Sequence, residues 1–352
     1  MYNPDLTAPV AAAPSGVVPN FTNPPNQALL AYSTLIVSLA CVTLFTWIRF
    51  LVKLCIVGTL HVEDYIIPFA WLAAVGHVVP SFIIDDFAPI IHTWDMQLDV
   101  FSRFLLYFRL SSIFYNISML LIKVAMLLQV LRIFVPRGSQ SKTYYIVYLL
   151  IWLTCLYYIA TVFAMVFTCI PVEKAWKPWI PGKCMSMGII AMTTASVNLA
   201  SDLAILALCQ RVIWNVIKVD RKQRLKLSIV FCAGIVPCVF SALCLYYNSL
   251  MMHSNDFTYS AALMSLACYG EIASGMFVLF LPVLPRFFSW AKQKWHSSRT
   301  RRPSTSLDFS DIGVDENLEE RSTKSMWHIS WMETRELVVA EEAHSRSGQE
   351  VA

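Results

Sequence analysis

Three ionisable residues interrupt stretches of the sequence that are otherwise apolar: Lys123, Asp202 and Glu271. An ionisable side chain inside a membrane helix is costly, by about 2.5 kcal/mol or more, so it must face protein, a partner charge or water. Each lies at a similar distance from the C-terminal end of its apolar stretch, so they can lie at a similar depth. We predict that Lys123 pairs with Asp202 or with Glu271. Such a pair can act as a clasp that fixes helix rotation, or it can bind a ligand or switch directly.

Further polar residues share helix faces with these three. Arg109, Asn116 and Lys123 follow one another at intervals of seven residues, which places them on one helix face. Asn198 precedes Asp202 by one helical turn. The stretch around Lys123 must therefore lie inside a bundle, with its polar stripe facing inward. We predict an intramembrane polar cluster formed by Lys123, Asp202, Glu271, Asn198, Asn116 and Arg109.

The elements that position these residues are membrane helices. Of the 352 residues, 57% are hydrophobic and 14% are charged, which excludes an ordinary soluble domain. Roughly 20 apolar residues cross a bilayer as a helix. Seven stretches are long enough, at about residues 28–48, 65–84, 105–130, 143–167, 188–209, 227–247 and 260–281. We predict an all-α membrane protein, a seven-transmembrane-helix bundle in contact with the lipid bilayer of a plasma membrane or an endomembrane.

Lysine and arginine are concentrated in alternate loops, which predicts the orientation of the bundle. The loop after the fifth stretch is the most basic, from Arg211 to Lys226, whereas residues 1–27 and 248–259 contain no lysine or arginine. We predict that the N-terminus lies outside and the C-terminus in the cytoplasm. Three regions follow: a disordered outer tail at 1–27, a membrane domain at 28–288 and a mostly disordered cytoplasmic tail at 289–352. The loop positions explain the net charge of +4 without a nucleic acid partner.

Two features fit the proposed outer side. Asn20 begins an Asn-Phe-Thr triplet, which is an N-glycosylation acceptor. Cys169 and Cys184 lie in one outer loop, where an oxidising environment favours a disulfide. Such a bond would contribute about 3 kcal/mol by closing a loop of about 15 residues. The alternative is two unpaired thiols at helix ends.

Other features belong to the proposed inner side. Glu63 and Asp64 precede the second stretch, where acidic side chains complement a helix dipole. Arg132, at the inner end of the third stretch, could instead pair with them as a latch that opens on activation. Both interpretations of this predicted cytoplasmic switch stay open. Gly234 and Pro237 predict a kink in the sixth stretch.

Several chemistries have no motif in this sequence. It contains no HExxH, Walker, GxSxG or CxxC motif, and the seventh stretch has no lysine for a retinal Schiff base. We therefore predict no catalytic residue, no metal site and no cofactor. A protein without enzymatic activity is favoured over an enzyme.

A set of short motifs lies in order along the apolar region. They are Glu63-Asp64-Tyr65, Lys123 with Leu131-Arg132-Ile133-Phe134, Cys169-Ile170-Pro171 with Trp176, Gly182 and Cys184, Asn198 with Asp202, and Tyr259 with Glu271 and Pro282. In this order they resemble the fungal rhodopsin-domain family of seven-helix membrane proteins, the Pth-type receptor-like group. The resemblance covers about residues 28–288 and implies a receptor-like protein without a chromophore, sometimes encoded beside secondary-metabolite genes. Glu63 replaces the family's usual Asp, and Cys244 replaces an expected arginine, so a shared ligand is not implied.

These observations leave three hypotheses, ranked in this order. The first is a receptor-like protein that senses an unknown, non-retinal small molecule, with a G protein as a candidate partner. The second is an accessory membrane protein or membrane enzyme of a fungal secondary-metabolite pathway, working with pathway enzymes and using Asp202, Glu271 or Glu63 as an acid. The third is a transporter, although the sequence has no two-fold repeat or broken-helix pattern.

Overall fold

Seven long helices dominate the computed structural model, which describes residues 5–134, 142–215, 232–284 and 287–292. They are α1 (Ala28–Val52), α2 (Val62–Phe87), α3 (Leu98–Phe134), α4 (Lys142–Val166), α5 (Met187–Asn215), α6 (Ile235–His253) and α7 (Phe257–Phe280). Each of the seven is long and apolar enough to cross a membrane, which confirms the predicted all-α, seven-helix membrane class. The basic residues between 216 and 226 and nearly all of the predicted C-terminal tail lie outside the described residues.

The helices form a closed ring around α3. Each helix packs against the next in the chain, and α7 packs against α1 to close the ring. Helix α3 also contacts α5 and α7 across the ring, so it occupies the centre of the bundle. Helix α4 lies at the edge, where Trp152 and Leu156 are 72% and 70% exposed. Large apolar side chains exposed at this level face lipid in a membrane-spanning bundle.

Two helices extend beyond the apolar stretches that predict them. Helix α3 begins at Leu98 rather than near residue 105, and a charged pair, Asp99 with Arg103, lies one turn apart on its exposed surface at 2.9 Å. Helix α1 continues as a π-helical turn, Lys53–Val57. Arg49 and Lys53, which the sequence places in a loop, therefore belong to this helix and are buried.

The N-terminal segment differs from the predicted disordered tail. In the structure, residues 5–27 lie against the loop between α2 and α3. The Val10 amide donates to the Met96 carbonyl at 3.1 Å, and the Asn20 amide donates to the Asp95 carboxylate at 2.9 Å. The segment has little apolar surface to bury, but a distant loop satisfies part of its backbone, which composition alone does not reveal.

The sixth span is interrupted by a turn. The described helix begins at Ile235 after a turn at residues 233–234, and Pro237 lies in its first turn. Proline costs little there, because the first amides of a helix have no intrahelical acceptor. Residue 232 is helical, so the helix is interrupted at 233–234, beside the Gly234 and Pro237 that predict a kink; the part of that span before residue 232 lies outside the described residues.

A short hairpin connects α4 to α5 on the predicted outer side. Strands β1 (Cys169–Ile170) and β2 (Lys183–Cys184) pair antiparallel, and Cys169 lies opposite Cys184 in the register. A disulfide joins these two cysteines across a sequence separation of 15 residues. The structure thus contains the bonded alternative of the two that the sequence left open.

Candidate functional site

Lys123 is fully buried and forms an ion pair with Asp202 in the middle of the bundle. Its ammonium nitrogen lies 2.5 Å from Asp202 Oδ1, 2.6 Å from Ser201 Oγ and 2.9 Å from the Asn198 carbonyl oxygen. An ammonium group has three hydrogens, so each has an acceptor on α5. Of the two partners that the sequence left open, the structure places Asp202 at the ammonium group.

Glu271 belongs to the same buried cluster without touching Lys123. Its Oε2 accepts from the Tyr115 hydroxyl at 2.6 Å, and its Oε1 accepts from Ser241 at 2.6 Å and from the Asn198 amide at 2.5 Å. Asn198 Oδ1 in turn accepts from the Tyr158 hydroxyl at 2.6 Å. These five side chains come from α3, α4, α5, α6 and α7, so the cluster connects five helices at one level.

Ser241 lies between the two carboxyl groups and contacts both. Its hydroxyl reaches Glu271 Oε1 and Asp202 Oδ2. A hydroxyl has one hydrogen, so Ser241 can donate to only one of them. The other contact becomes a hydrogen bond only when that carboxyl group carries a hydrogen of its own. The arrangement can therefore hold a buried proton and pass it between Asp202 and Glu271.

A cavity of about 320 Å³ adjoins this cluster inside the bundle. Most of its wall is apolar, and includes Phe101, Leu105, Phe108, Met187, Met251 and Phe257. Tyr115, Asn198 and Cys244 also line the cavity, and each of them contacts Glu271. The cavity and the charged cluster therefore share a wall.

Four residues that line this cavity each have a buried polar atom without a hydrogen-bond partner among the described residues: His77 Nε2, Arg109 Nη1, Asn116 Oδ1 and Asn248 Oδ1. Their residues are 3%, 7%, 1% and 6% exposed, so none of these side chains lies open to bulk solvent. An unsatisfied buried polar group costs about 1–3 kcal/mol. A bound molecule that pairs with these atoms would remove that cost, so the cavity has the character of a binding site.

Arg109 and Asn116 do not join the Lys123 cluster, contrary to the prediction of one cluster. The Arg109 guanidinium donates to the carbonyl oxygens of Met165 and Val166 at the end of α4. Asn116 also reaches Met165, whose sulfur lies 3.5 Å from the Asn116 amide nitrogen. A shared helix face brings these residues to one side of α3, but the partners come from different neighbouring helices.

The ends of α2 and α3 on the predicted inner side are joined by ion pairs. Arg132 pairs with Glu63 and lies 3.8 Å from Asp64, while Asp64 is 2.9 Å from Arg49 and 3.2 Å from Lys53. These charges are buried except for Arg132, whose side chain is 26% exposed. Arg49 also donates to a backbone carbonyl of α7. We call this group of five side chains the inner ion network.

Asp64 serves as a helix cap at the same time. His61 is the N-cap residue of α2, and its backbone amide donates to Asp64 Oδ2 at 3.1 Å. Burial lowers the pKa of the His61 imidazole below its usual value, and the positive charge of Arg132 lowers it further. Capping and ion pairing, which the sequence presents as alternatives for Glu63 and Asp64, therefore occur together in the structure.

Several residues of the site escape sequence reasoning. Tyr115, Tyr158 and Ser241 look like ordinary members of apolar helices, and only their contacts with Asn198 and Glu271 distinguish them. His77 carries a usable signal, because a histidine in a membrane span is rare and faces the interior. Its position therefore could have been predicted.

The predicted glycosylation site lies on the exposed N-terminal segment. Asn20 is exposed, and its Oδ1 accepts from the Thr22 hydroxyl at 3.1 Å while its Nδ2 donates to the Asn23 carbonyl at 2.7 Å. The predicted acceptor side chain is therefore accessible from solution.

Comparison with known proteins gives one family and two relatives. Residues 48–290 match the model of a family described as Fungal rhodopsin domain. A Gibberella zeae protein named Fugralins biosynthesis cluster protein 2 is 27% identical over 292 residues, covering 80% of this chain and 71% of that protein. An Emericella nidulans protein described as a SAT4 family membrane protein is 30% identical over 211 residues, covering 59% of this chain and 53% of that protein. The chain thus matches about half the length of the second relative.

Proposed function

Because the chain belongs to the fungal rhodopsin domain family, we propose that it is a receptor-like membrane protein that binds a non-retinal small molecule inside its bundle. The observation that carries the proposal is the apolar cavity whose lining residues include four with an unpartnered buried polar atom. Binding sites for small molecules combine mostly apolar walls with a few polar groups that fix orientation.

Helix α3 offers a route from the cavity to the opposite end of the bundle. It carries Asn116 at the cavity, Lys123 in the charged cluster and Arg132 in the inner ion network. At about 1.5 Å per residue, these positions span roughly 24 Å of helix. A ligand that moves Tyr115 would disturb Glu271 and then its contact with Ser241, so occupancy of the cavity changes the forces on five helices.

The orientation belongs to the same proposal. We place the N-terminal segment, the hairpin and the open end of the cavity outside, with residues 289–352 in the cytoplasm. Enzymatic removal of N-glycans should increase the electrophoretic mobility of the wild-type protein expressed in a fungus, and Asn20→Gln should already have the faster mobility. A glycosylated inner loop, or protease protection of the N-terminus in intact cells, would contradict this orientation.

Binding can be tested with a fluorescent apolar probe, cis-parinaric acid methyl ester, added to the purified full-length protein. Ala191 lines the cavity, so Ala191→Trp should abolish saturable binding by filling it. Ala160, exposed on α4, offers a matched control, and Ala160→Trp should bind the probe as the wild type does. Absence of saturable binding to the wild-type protein would overturn the proposal.

Signalling needs a separate experiment. A tagged copy would be isolated from fungal membranes, and a co-purifying G-protein α subunit would be sought with wild type and with Arg132→Gln. Recovery that depends on Arg132 supports a receptor, whereas equal recovery counts against it. Arg103→Gln is the control, since Arg103 is 67% exposed and pairs only within α3 among the described residues.

A role as an accessory protein or membrane enzyme of metabolite biosynthesis is the second candidate, and the name of the Gibberella zeae relative favours it. Of the three predicted acids, Glu63 pairs with Arg132 in the inner ion network, away from the cavity. Glu271 is bonded to Tyr115, which lines the cavity, so this pair is the better proton donor. Microsomes containing only this protein would be supplied with polyene precursors. Product formation that is lost in Glu271→Gln would establish an enzyme, and no turnover would remove this candidate.

A further inference from the structure

We propose that the cavity selects a hydroxylated amphipathic carboxylate, whose carboxylate group binds Arg109. The inference rests on the proposed function, since it names the chemical class of the ligand for the same cavity. Its basis is the kind of hydrogen bond that each of the four unpartnered atoms can still form.

Arg109 is a buried cation without a counter-charge. Its side chain is held at the end of α4, where Nη2 donates to two backbone carbonyl oxygens, and Nη1 remains unpartnered at the cavity. No aspartate or glutamate in the described part of the chain forms an ion pair with it. A buried charge is costly unless it is paired. A guanidinium group is also the side chain best suited to a planar carboxylate, so a single anionic group completes this site.

Asn116 and Asn248 each offer a side-chain oxygen as an acceptor. The hydrogen-bond partner of each amide nitrogen fixes the orientation of the amide group. The Asn116 amide nitrogen donates to the Ser112 carbonyl at 2.8 Å, and that of Asn248 donates to the Cys244 carbonyl at 2.9 Å. A carbonyl oxygen can only accept, so the NH₂ group must face it in both cases. Each Oδ1 therefore remains at the cavity as an acceptor that needs a donor from the ligand.

His77 supplies a third acceptor. Its Nδ1 lies 3.0 Å from the Ser111 carbonyl oxygen and 2.7 Å from the Ser111 hydroxyl. A carbonyl oxygen can only accept whereas a hydroxyl can also accept, so the tautomer with the hydrogen on Nδ1 satisfies both contacts, and we assign that tautomer. In a neutral imidazole the other nitrogen then has a free lone pair. His77 Nε2 is that atom; it has no partner among the described residues, and His77 lines the cavity.

The four atoms together describe one kind of molecule. One cationic donor calls for an anion, and three acceptors call for hydroxyl or similar donors. Arg109 and Asn116 both reach Met165, so they share one corner of the cavity, whereas His77 and Asn248 come from α2 and α6. The wall between them is apolar. A single cation also favours a monoanionic carboxylate over a doubly charged phosphate, which would keep an uncompensated charge.

The test compares matched probes on the purified full-length protein. cis-Parinaric acid should bind at least about tenfold more tightly than its methyl ester at neutral pH, because only the acid offers a charge-assisted bond to Arg109. The preference should disappear when the pH is low enough to protonate the acid. Arg109→Gln should bind acid and ester equally, and Arg103→Gln should keep the preference. Ricinoleic acid should displace the probe several-fold better than oleic acid, which lacks the hydroxyl group.

The outcomes separate this inference from the proposed function. Equal wild-type affinity for acid and ester overturns the carboxylate assignment but leaves ligand binding in the cavity intact. A preference that persists in Arg109→Gln, or one that does not change with pH in the wild type, also overturns it. If oleic acid displaces the probe as well as ricinoleic acid does, the hydroxyl assignment is overturned. If neither probe binds saturably, both proposals fail.

Discussion

Replacing Lys123 with methionine should lower the free energy of unfolding by about 3–5 kcal/mol, because removing one partner of a buried ion pair leaves an uncompensated charge. Methionine keeps the length and the apolar stem of the side chain. The loss would come from Asp202, which is 8% exposed and would lose its donor at 2.5 Å, and from the Ser201 and Asn198 oxygens that share the ammonium group.

The assay is the apparent unfolding temperature of the purified protein in detergent. At about 2–4 °C per kcal/mol for a domain of 150–250 residues, the decrease should be roughly 6–20 °C. Lys183 is exposed in the hairpin and provides the control. The free energy of unfolding of Lys183→Met should stay within about 0.5 kcal/mol of the wild-type value.

A double variant separates loss of the pair from loss of a single charge. Lys123→Met combined with Asp202→Leu removes both charges and should recover most of the stability that Lys123→Met loses, since buried pairs can be exchanged for apolar side chains. The charge-sharing argument is refuted if the free energy of unfolding of Lys123→Met lies within about 1 kcal/mol of the wild-type value. It is also refuted if the double variant is as unstable as the single variant.

Three further changes test other parts of the structure. Glu63→Gln should alter stability by only about 1 kcal/mol or less, because its partner Arg132 is 26% exposed, but hydrogen exchange at the start of α2 should accelerate; unchanged exchange would contradict the latch. Gly182→Ala should destabilise the hairpin by about 1–3 kcal/mol, since the added Cβ would lie 2.4 Å from the Ile170 carbonyl oxygen, and differential scanning fluorimetry measures it. Cys184→Ser should lower the free energy of unfolding by about 3 kcal/mol, because it opens the 15-residue loop that the disulfide closes. Reducing the disulfide of the wild-type protein should produce the same loss of stability.

The sequence predicted the bundle because apolar length and buried charge are both local properties. Seven apolar stretches required seven helices, and a lysine in the third required a shared polar interior. The choice between Asp202 and Glu271 could not be predicted, because both lie at a similar depth and the rotation of each helix is set by packing. In the structure Ser201 and the Asn198 carbonyl complete the lysine's coordination, and Glu271 is occupied by Tyr115.

The wrong predictions have related causes. Arg49 and Lys53 end an apolar window and therefore looked like loop residues, but Asp64 offsets their charge and the helix continues. The long side chain of Arg109 reaches the end of α4, which a helix face does not indicate. The N-terminal segment finds its hydrogen-bond partners at residues 95–99, far away in sequence, so its composition suggested disorder.

The inner ion network joins four helices at the end of the bundle that we place in the cytoplasm. Among the described residues, its ion pairs and its bond to the Leu279 carbonyl connect α1, α2, α3 and α7, and none of them reaches α4, α5 or α6. Separating these four helices requires exposing buried charges. Among the described residues, the network thus makes α1, α2, α3 and α7 one charge-linked unit, whose helices cannot separate without leaving Asp64 or Glu63 unpaired.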